Sequence, residues 1–317
     1  MKTIKIKYVD WWLGFDHEDY IFDRVLRKNF DVVLSDNPDF VLGSVYSKDA
    51  LSYDCVRILY SGEDICPDFN MYDYAIGFET LDFGDRYLYA PNYIMNPKYS
   101  DDVRLMLQKH KLTRDEVRKD DFCSFVVSNG NADPIRNDFY EALSEYKKIN
   151  SGGRFKNNIG VPEGVTDKYA FQRKHKFSIC FENSSHPGYI TEKLVQGFAA
   201  GTVPIYWGAS DVAEYFNKNA MIIVDGKNGI DDAIKKVIEV DNDDELYFDM
   251  LEQPALVNED FISRTEKNIE NFILNIFEQD VSQARRRANS QTICTYYGIT
   301  YEKPRTWIER MLGLKKE

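Results

Sequence analysis

No run of 18 apolar residues occurs anywhere in this 317-residue chain, so no membrane-spanning helix is expected. Met1-Lys2-Thr3-Ile4-Lys5-Ile6-Lys7 alternates charge straight into a strand pattern, so no signal peptide is expected either. The five cysteines, Cys55, Cys66, Cys123, Cys180 and Cys294, are scattered, odd in number and without C-x-x-C spacing. This argues against a zinc site and a disulfide framework and favours a reducing, cytoplasmic setting. Excess positive charge is lacking too: 40 Lys/Arg stand against 52 Asp/Glu, for a net charge of -12. Nonspecific attraction to nucleic acid or to an anionic membrane is therefore disfavoured, and any anionic ligand must be held by a local basic pocket. Neither Gly-x-Gly-x-x-Gly nor the phosphate loop ending Gly-Lys-Ser/Thr is present, which argues against a nicotinamide dehydrogenase and a P-loop kinase. No internal repeat or low-complexity tract is visible.

What is present is an alternation of short β-rich runs and helical spacings. Ile4, Ile6 and Tyr8 alternate with lysines, and Ile21, Val25, Leu26 and Phe30 follow at helical spacing. Strands are expected at Asp31–Leu34, Phe40–Gly43, Val56–Tyr60 and Tyr74–Gly77. The polar stretch Asn96–Asp121 reads as the interdomain connection. Beyond it come a strand at Ser124–Ser128, a helix opened by Asp133-Pro134, a strand at Phe177–Phe181, a helix from Thr191 to Ala200 and a strand at Val203–Trp207. Met221–Val224 and the amphipathic Ile230–Val240 segment continue the series. With an apolar fraction of 43%, the chain can fill two cores. The pattern predicts two α/β domains, 1–115 and 116–280, with a basic tail over 281–317, helical in part. Such parallel sheets bind ligands at the carboxyl ends of their strands.

Cys180-Phe181-Glu182-Asn183-Ser184-Ser185-His186-Pro187-Gly188-Tyr189-Ile190-Thr191-Glu192-Lys193 carries the most chemistry: a strand, a polar loop and a helix start that Thr191 can cap. Unpaired N–H groups and the positive end of the helix dipole would favour a diphosphate there. Lys193 stands where Asp or Glu is normally preferred. A local rule broken without local gain points to a ligand, against the plainer reading of a solvated lysine. Glu192 and Asn183 have the chemistry to hydrogen-bond a ribose or a sugar, against the plainer reading of a first-turn acid and a turn asparagine.

Phe181-Glu182-Asn183-Ser184, Tyr189-Ile190-Thr191-Glu192-Lys193 and Gly201-Thr202-Val203-Pro204-Ile205-Tyr206-Trp207-Gly208, in that order and spacing, resemble the donor-site signature of the bacterial α1,3-fucosyltransferase family, glycosyltransferase family 10 of the Lewis-antigen type. The resemblance extends to Ser61-Gly62-Glu63, Phe69-Asn70, Asp73–Phe78, Asp85-Arg86-Tyr87, Phe125–Asn129 and Pro134–Asn137. It implies a GT-B fold of two Rossmann-like α/β domains facing a central cleft, with acceptor in the first half and GDP-fucose mainly in the second. It also implies inverting transfer of L-fucose to the 3-hydroxyl of N-acetylglucosamine in an N-acetyllactosamine-type glycan, giving Lewis x-type products on a surface glycan.

Residue by residue, the resemblance implies Glu63 as the general base, a role a single carboxylate can fill in a single displacement. It places Arg136 and Lys193 on the diphosphate, Glu192 on the donor ribose, and Asn183 and Tyr189 in the nucleotide-sugar pocket. Arg154, in the loop Gly152-Gly153-Arg154, either approaches the diphosphate or belongs to a plain turn. Asp16, Glu18 and Glu182 are the other acids to test. Trp11 and Trp12 are assigned to the acceptor side, where an indole face can stack on a sugar, although paired tryptophans as often pack in a core. No cofactor or metal is expected, since this plan uses cationic side chains and helix ends, and Asp241-Asn242-Asp243 reads as solvated surface rather than a metal motif.

Two rival readings stand beside this one: a GT-B glycosyltransferase with another nucleotide-sugar donor, and a noncatalytic glycan-binding relative. From Val281 onward eight Lys/Arg stand against three Glu, a local charge of +5. Trp307, Ile308, Met311, Leu312 and Leu314, with Arg305, Arg310, Lys315 and Lys316, suit either an amphipathic helix at the inner face of a membrane or one packed on the body. No heptad repeat follows Phe277, so oligomerisation through that device is not expected.

Overall fold

The computed structural model describes residues 1–111, 113, 114, 119–288 and 291–298. The tail residues Arg305 to Lys316, discussed above for a membrane or packed helix, lie outside the described residues.

Six parallel strands build the first sheet: β1 (Thr3–Val9), β2 (Asp31–Leu34), β3 (Phe40–Gly43), β4 (Val56–Tyr60), β5 (Tyr74–Gly77) and β6 (Tyr87–Tyr89), in the order β2-β1-β3-β4-β5-β6. A second parallel sheet holds β7 (Asp121–Phe125), β8 (Ile149–Ser151), β9 (His175–Phe181), β10 (Val203–Trp207) and β11 (Ile222–Ile223), in the order β11-β10-β9-β7-β8. In β3, β4, β5 and β10 every residue is buried, as strands covered on both faces require. The two parallel sheets and their facing loops form the GT-B arrangement.

The helices α1 (Ile21–Asn29), α2 (Asn92–Met95) and α3 (Ser100–Gln108) belong to the first half, and α4 (Ile135–Ser144), α5 (Lys168–Gln172) and α6 (Glu192–Ala199) to the second. They are followed by α7 (Val212–Tyr215), α8 (Ile230–Asn242), α9 (Asp244–Glu252), α10 (Phe261–Glu278), α11 (Val281–Ala284) and α12 (Gln291–Tyr297).

Three features differ from the sequence expectation. The strand expected at Ser124–Ser128 runs Asp121–Phe125, because beyond Phe125 the backbone turns to the next loop: Phe155 N–H donates to the Val127 carbonyl at 3.0 Å. Asp241 is not solvated; its side chain is 3% exposed and accepts from Tyr146 Oη at 2.9 Å, beside Lys147 and Lys176, while Asp243 caps α9. The third difference is α10. It lies inside the span expected for the second domain, yet Phe272, Ile273, Ile276 and Phe277 join the core of the first sheet. Phe277 packs on Phe40 at 4.5 Å between ring centroids, and Lys2 Nζ donates to the carbonyls of Phe277, Glu278 and Gln279, a cation at the negative end of the helix.

That core is shared by both halves. Leu194, Val195 and Phe198 of α6 pack in one cluster with Val103 and Met106 of α3 and with Ile4, Ile6, Ile58 and Tyr60 of the first sheet. Across the same junction Gln196 Nε2 donates to Asp102 at 3.0 Å and Tyr89 Oη to the Gly188 carbonyl at 3.1 Å. Gly188 sits at φ +84°, and a Cβ there would lie 2.1 Å from the Phe78 carbonyl oxygen, so the loop between β9 and α6 presses directly on the end of β5.

Beyond α10 the chain returns along the first domain as a strap. Arg285 pairs with Asp54, Arg286 with Asp85 and Tyr74, and Arg287 with Asp73, whose carboxylate also accepts the backbone N–H groups of residues 286 and 287. Three of the tail's cations are thus held by the body of the protein. Asp73 is fully buried. Asp73→Ala is expected to cost about 3–5 kcal/mol, because it strands Arg287 and three backbone donors; urea unfolding of the full chain measures it.

Candidate functional site

The two sheets present their carboxyl ends to each other, and the chemistry begins at the end of β9. Glu182 is 0% exposed. Its Oε1 accepts from the Thr191 backbone N–H at 2.7 Å, and its Oε2 accepts from Thr191 Oγ1 at 2.7 Å and from Lys193 Nζ at 3.0 Å. Burial raises its pKa, although Lys193 and the Thr191 donors pull the other way. The lysine at the start of α6 therefore has a local gain after all: it offsets a buried carboxylate. Lys193 also donates to Thr191 Oγ1 at 3.0 Å, leaving the third of its ammonium protons for another acceptor. Burial works against its charge, but Glu182 and Glu192 outweigh it and its pKa is raised. Glu182, a candidate acid in the sequence, is thus committed to holding the helix start.

The next residue holds the second cation. Asn183 Oδ1 accepts from Arg136 Nη1 at 3.2 Å, and the Asn183 carbonyl accepts from the Asp133 N–H at 2.9 Å, fixing the start of α4 from which Arg136 projects. Arg136 is 1% exposed, and its Nη2 donates to the Asn129 carbonyl at 2.6 Å. It makes no salt bridge among the described residues. Burial lowers its pKa, with the Glu182 charge partly opposing. A guanidinium taken out of water without a carboxylate is costly unless an anion completes it.

Glu192, in the first turn of α6, accepts from Asn92 Nδ2 at 2.8 Å across the domain junction. Burial would raise its pKa, but Lys193, Lys168 and Asn92 outweigh that and hold it low. Lys168 Nζ donates to Gln196 at 2.7 Å. Tyr189 is buried, stacked on His186 at 5.1 Å and edge-on to Phe78 at 5.2 Å. Arg154 is exposed and makes no hydrogen bond or ion pair among the described residues; its loop lies so close to the end of β7 that a Cβ on Gly153 would sit 1.9 Å from the Val127 carbonyl oxygen.

Across the cleft, Glu63 follows β4 and is exposed. Tyr46 Oη donates to its Oε1 at 3.0 Å, and Ser61 Oγ to its carbonyl at 2.7 Å. Burial and the Glu63 carboxylate push the Tyr46 phenol up to about 12. The Glu63 charge also reaches Lys193 and Tyr189, raising both. Asp64, the neighbouring acid, accepts from Ser184 Oγ and contacts His186 Nε2, tying the two halves together beside Glu63. Donor atoms of Asp64, Glu79 and His186 lie within 4.8 Å of one another, a set that can also receive a cation.

The tryptophans divide. Trp11 is committed to packing: it stacks on Phe15 at 3.9 Å and on Tyr60 at 5.5 Å, and its Nε1 donates to the Leu42 carbonyl at 2.9 Å. Trp12, half-buried, packs edge-on to Phe15 at 5.0 Å and to Trp11 at 5.6 Å, and is also edge-on to Tyr46 at 6.0 Å, the tyrosine that donates to Glu63. Asp16 and Glu18 lie together in an exposed loop, the Glu18 N–H donating to Asp16 at 3.0 Å. Sequence reasoning missed Asn92, Tyr46, Asp64 and Lys168. Only Asp64, next to Glu63 in the motif, had a local signal.

A parallel-stranded two-domain scaffold with cations held at the carboxyl ends of its second sheet is the architecture of a GT-B glycosyltransferase. The profile of the α-(1,3)-fucosyltransferase N-terminal domain matches residues 6–96, and that of glycosyltransferase family 10 (fucosyltransferase) C-term matches residues 117–269. The chain is 33% identical to the α-(1,3)-fucosyltransferase of Helicobacter pylori over 291 residues, 80% of this chain and 60% of that protein. It is 35% identical to the human 4-galactosyl-N-acetylglucosaminide 3-α-L-fucosyltransferase 9 over 133 residues, 41% of this chain and 36% of that one. A crystal structure of an α1,3-fucosyltransferase with GDP superposes with a TM-score of 0.75 at 30% identity, covering 91% of this chain and 93% of the other. One with GDP-fucose gives 0.70 at 27%, covering 86% and 91%. This chain belongs to glycosyltransferase family 10, the fucosyltransferases, and spans three fifths of the length of its H. pylori relative.

His186 carries the pH dependence of the interdomain contact. Burial disfavours its charged form, but the Pro187 carbonyl, Asp64 and Glu79 outweigh it and its pKa is raised. The stabilisation is therefore fully present below the ordinary imidazole value and is lost as pH rises through the raised one. His186→Ala is expected to lower stability by about 1 kcal/mol at pH 5.5 and by much less at pH 9, read from urea melts at both pH values.

Proposed function

We propose that this chain is an inverting α1,3-fucosyltransferase, moving L-fucose from GDP-fucose to the 3-hydroxyl of N-acetylglucosamine in an N-acetyllactosamine-type glycan. The observation that carries this reading is that consecutive residues at the end of β9 hold two cations, Asn183 the buried, carboxylate-free Arg136 and Glu182 the ammonium of Lys193. Two fixed cations there suit the diphosphate, where negative charge grows as the bond to the anomeric carbon breaks. Glu192 at the helix start suits the ribose, Tyr189 the pocket wall, and Arg154 the diphosphate from the open side.

On the opposite wall, Glu63 takes the proton of the acceptor hydroxyl as that oxygen attacks the anomeric carbon from the face opposite the leaving GDP, giving inversion in one displacement. Tyr46 fixes one oxygen of the carboxylate, and Trp12 offers a half-buried indole for the acceptor sugar. Catalysis in this reading needs no metal, because Arg136, Lys193 and the N–H groups of α6 meet the leaving-group charge. The trio of Asp64, Glu79 and His186 is the place where a cation would act if one did.

Glu63→Gln is expected to lower kcat by about 10²–10⁴-fold with the KM for GDP-fucose little changed, measured as GDP release and product mass with N-acetyllactosamine. Lys193→Ala or Arg136→Ala is expected to lower kcat/KM by about a hundredfold, near 3 kcal/mol. Wild-type turnover undiminished in EDTA is expected, and its loss would assign a role to the acidic trio. The rival donor reading fails if GDP, and not UDP, competes with the sugar nucleotide.

A further inference from the structure

A cavity of about 910 Å³ lies against β4, outside the donor site and bounded by the strap. That is within the range that buries most of a drug-sized ligand. At one end its wall includes Val45 and Ser47, which flank Tyr46, and Ile65, two residues beyond Glu63. At the other end it reaches Tyr53 and Asp54, which precede β4. Tyr46 and Glu63 themselves do not line it, but their chain neighbours do, and from there the wall runs along β4 past Leu59 and Arg57, a strand of about 16 Å.

The chemistry of the wall selects the ligand. Its guanidinium groups are already satisfied: Arg57 donates to the carbonyls of Tyr53, Met71 and Leu51 at 3.0, 3.3 and 2.9 Å, Arg285 pairs with Asp54, and Arg287 pairs with Asp73. Lys48, which is exposed, and Asp68 add one charge of each sign to the wall, so it has no cluster of free cations to favour an anion. Between these charges stand tyrosine rings, at Tyr53, Tyr72 and Tyr297, with serine hydroxyls and the Asn70 amide, which donates to Tyr297 Oη at 3.2 Å. Aromatic faces with neutral hydrogen-bonding groups between them fit an uncharged polyhydroxylated chain.

We propose that this cavity is an extended acceptor subsite, taking the neutral glycan chain beyond the sugar that receives fucose. The inference rests on the functional reading above. The strap, tied down by Arg285–Arg287, then does more than stabilise the first domain: it forms one wall of the subsite and makes the enzyme prefer long acceptors over short ones.

The test uses the full chain, GDP-fucose, and two acceptors: N-acetyllactosamine and a linear hexasaccharide of N-acetyllactosamine repeats. Ser52→Trp, at an exposed position lining the cavity, is expected to raise KM for the hexasaccharide about tenfold while leaving KM for the disaccharide and for GDP-fucose within about twofold. Cys66, the exposed thiol among the five and also on the wall, supplies a readout without turnover. The hexasaccharide is expected to slow its alkylation by iodoacetamide in wild type by about fivefold or more. Equal effects of Ser52→Trp on both acceptors, or alkylation of Cys66 unaffected by the hexasaccharide, would overturn the subsite. Transfer to neither acceptor by wild type would overturn the functional reading, and Cys66 protection would still decide the subsite.

Discussion

The buried carboxylate of Glu182 is the constraint on which the rest of the site depends. At 0% exposure it has to be satisfied completely, and the donors that satisfy it are the capping residue of α6 and the ammonium of Lys193. The charge on that lysine and the direction of the helix start are thus set by one group at the end of β9. Because Asn183 follows in sequence and orients Arg136 from a different helix, two peptide units place both cations. A single residue would not do this; consecutive side chains leaving a strand end in different directions do.

The second constraint is the shared core. Where two domains touch through a few polar contacts, motion between them is the default. Here α6 packs its apolar face into the cluster built by α3 and the first sheet, and α10 returns from the second half to complete the same cluster. Glu192 and Asn92, Gln196 and Asp102, and the pressed approach of Gly188 to Phe78 then fix the polar rim of that junction. Glu63 and the cations Arg136 and Lys193 are consequently held on one body, which the proposed single displacement, with both walls acting at once, requires.

Much of the strand alternation was readable in the chain, because apolar runs bounded by turn residues report a parallel sheet locally. β6 and β8, three residues each, were not, since so short a run carries no period. The motif around Glu182 made the strand end and helix start readable, and there Glu182 bonds Thr191 and Lys193 while Asn183 bonds Arg136. The reason for Lys193 was not readable, because its partner stands eleven residues away on another element. Trp11 and Trp12 looked equivalent in sequence; the structure separates them, since only Trp11 stacks between or against Phe15 and Tyr60 and gives its N–H to the backbone.

By itself, then, the sequence determined the class of fold, the order of its elements and the types of side chain at the strand ends, because those depend on patterning within a few residues. Only the tertiary structure decided which charges remain available. Lys193 is partly spent on Glu182, the arginines of residues 285–287 are spent on Asp54, Asp73 and Asp85, and Arg136 meets no carboxylate among the described residues. The availability of a charge is a property of its neighbours in space, and the neighbours that matter here come from up to 231 residues away in the chain.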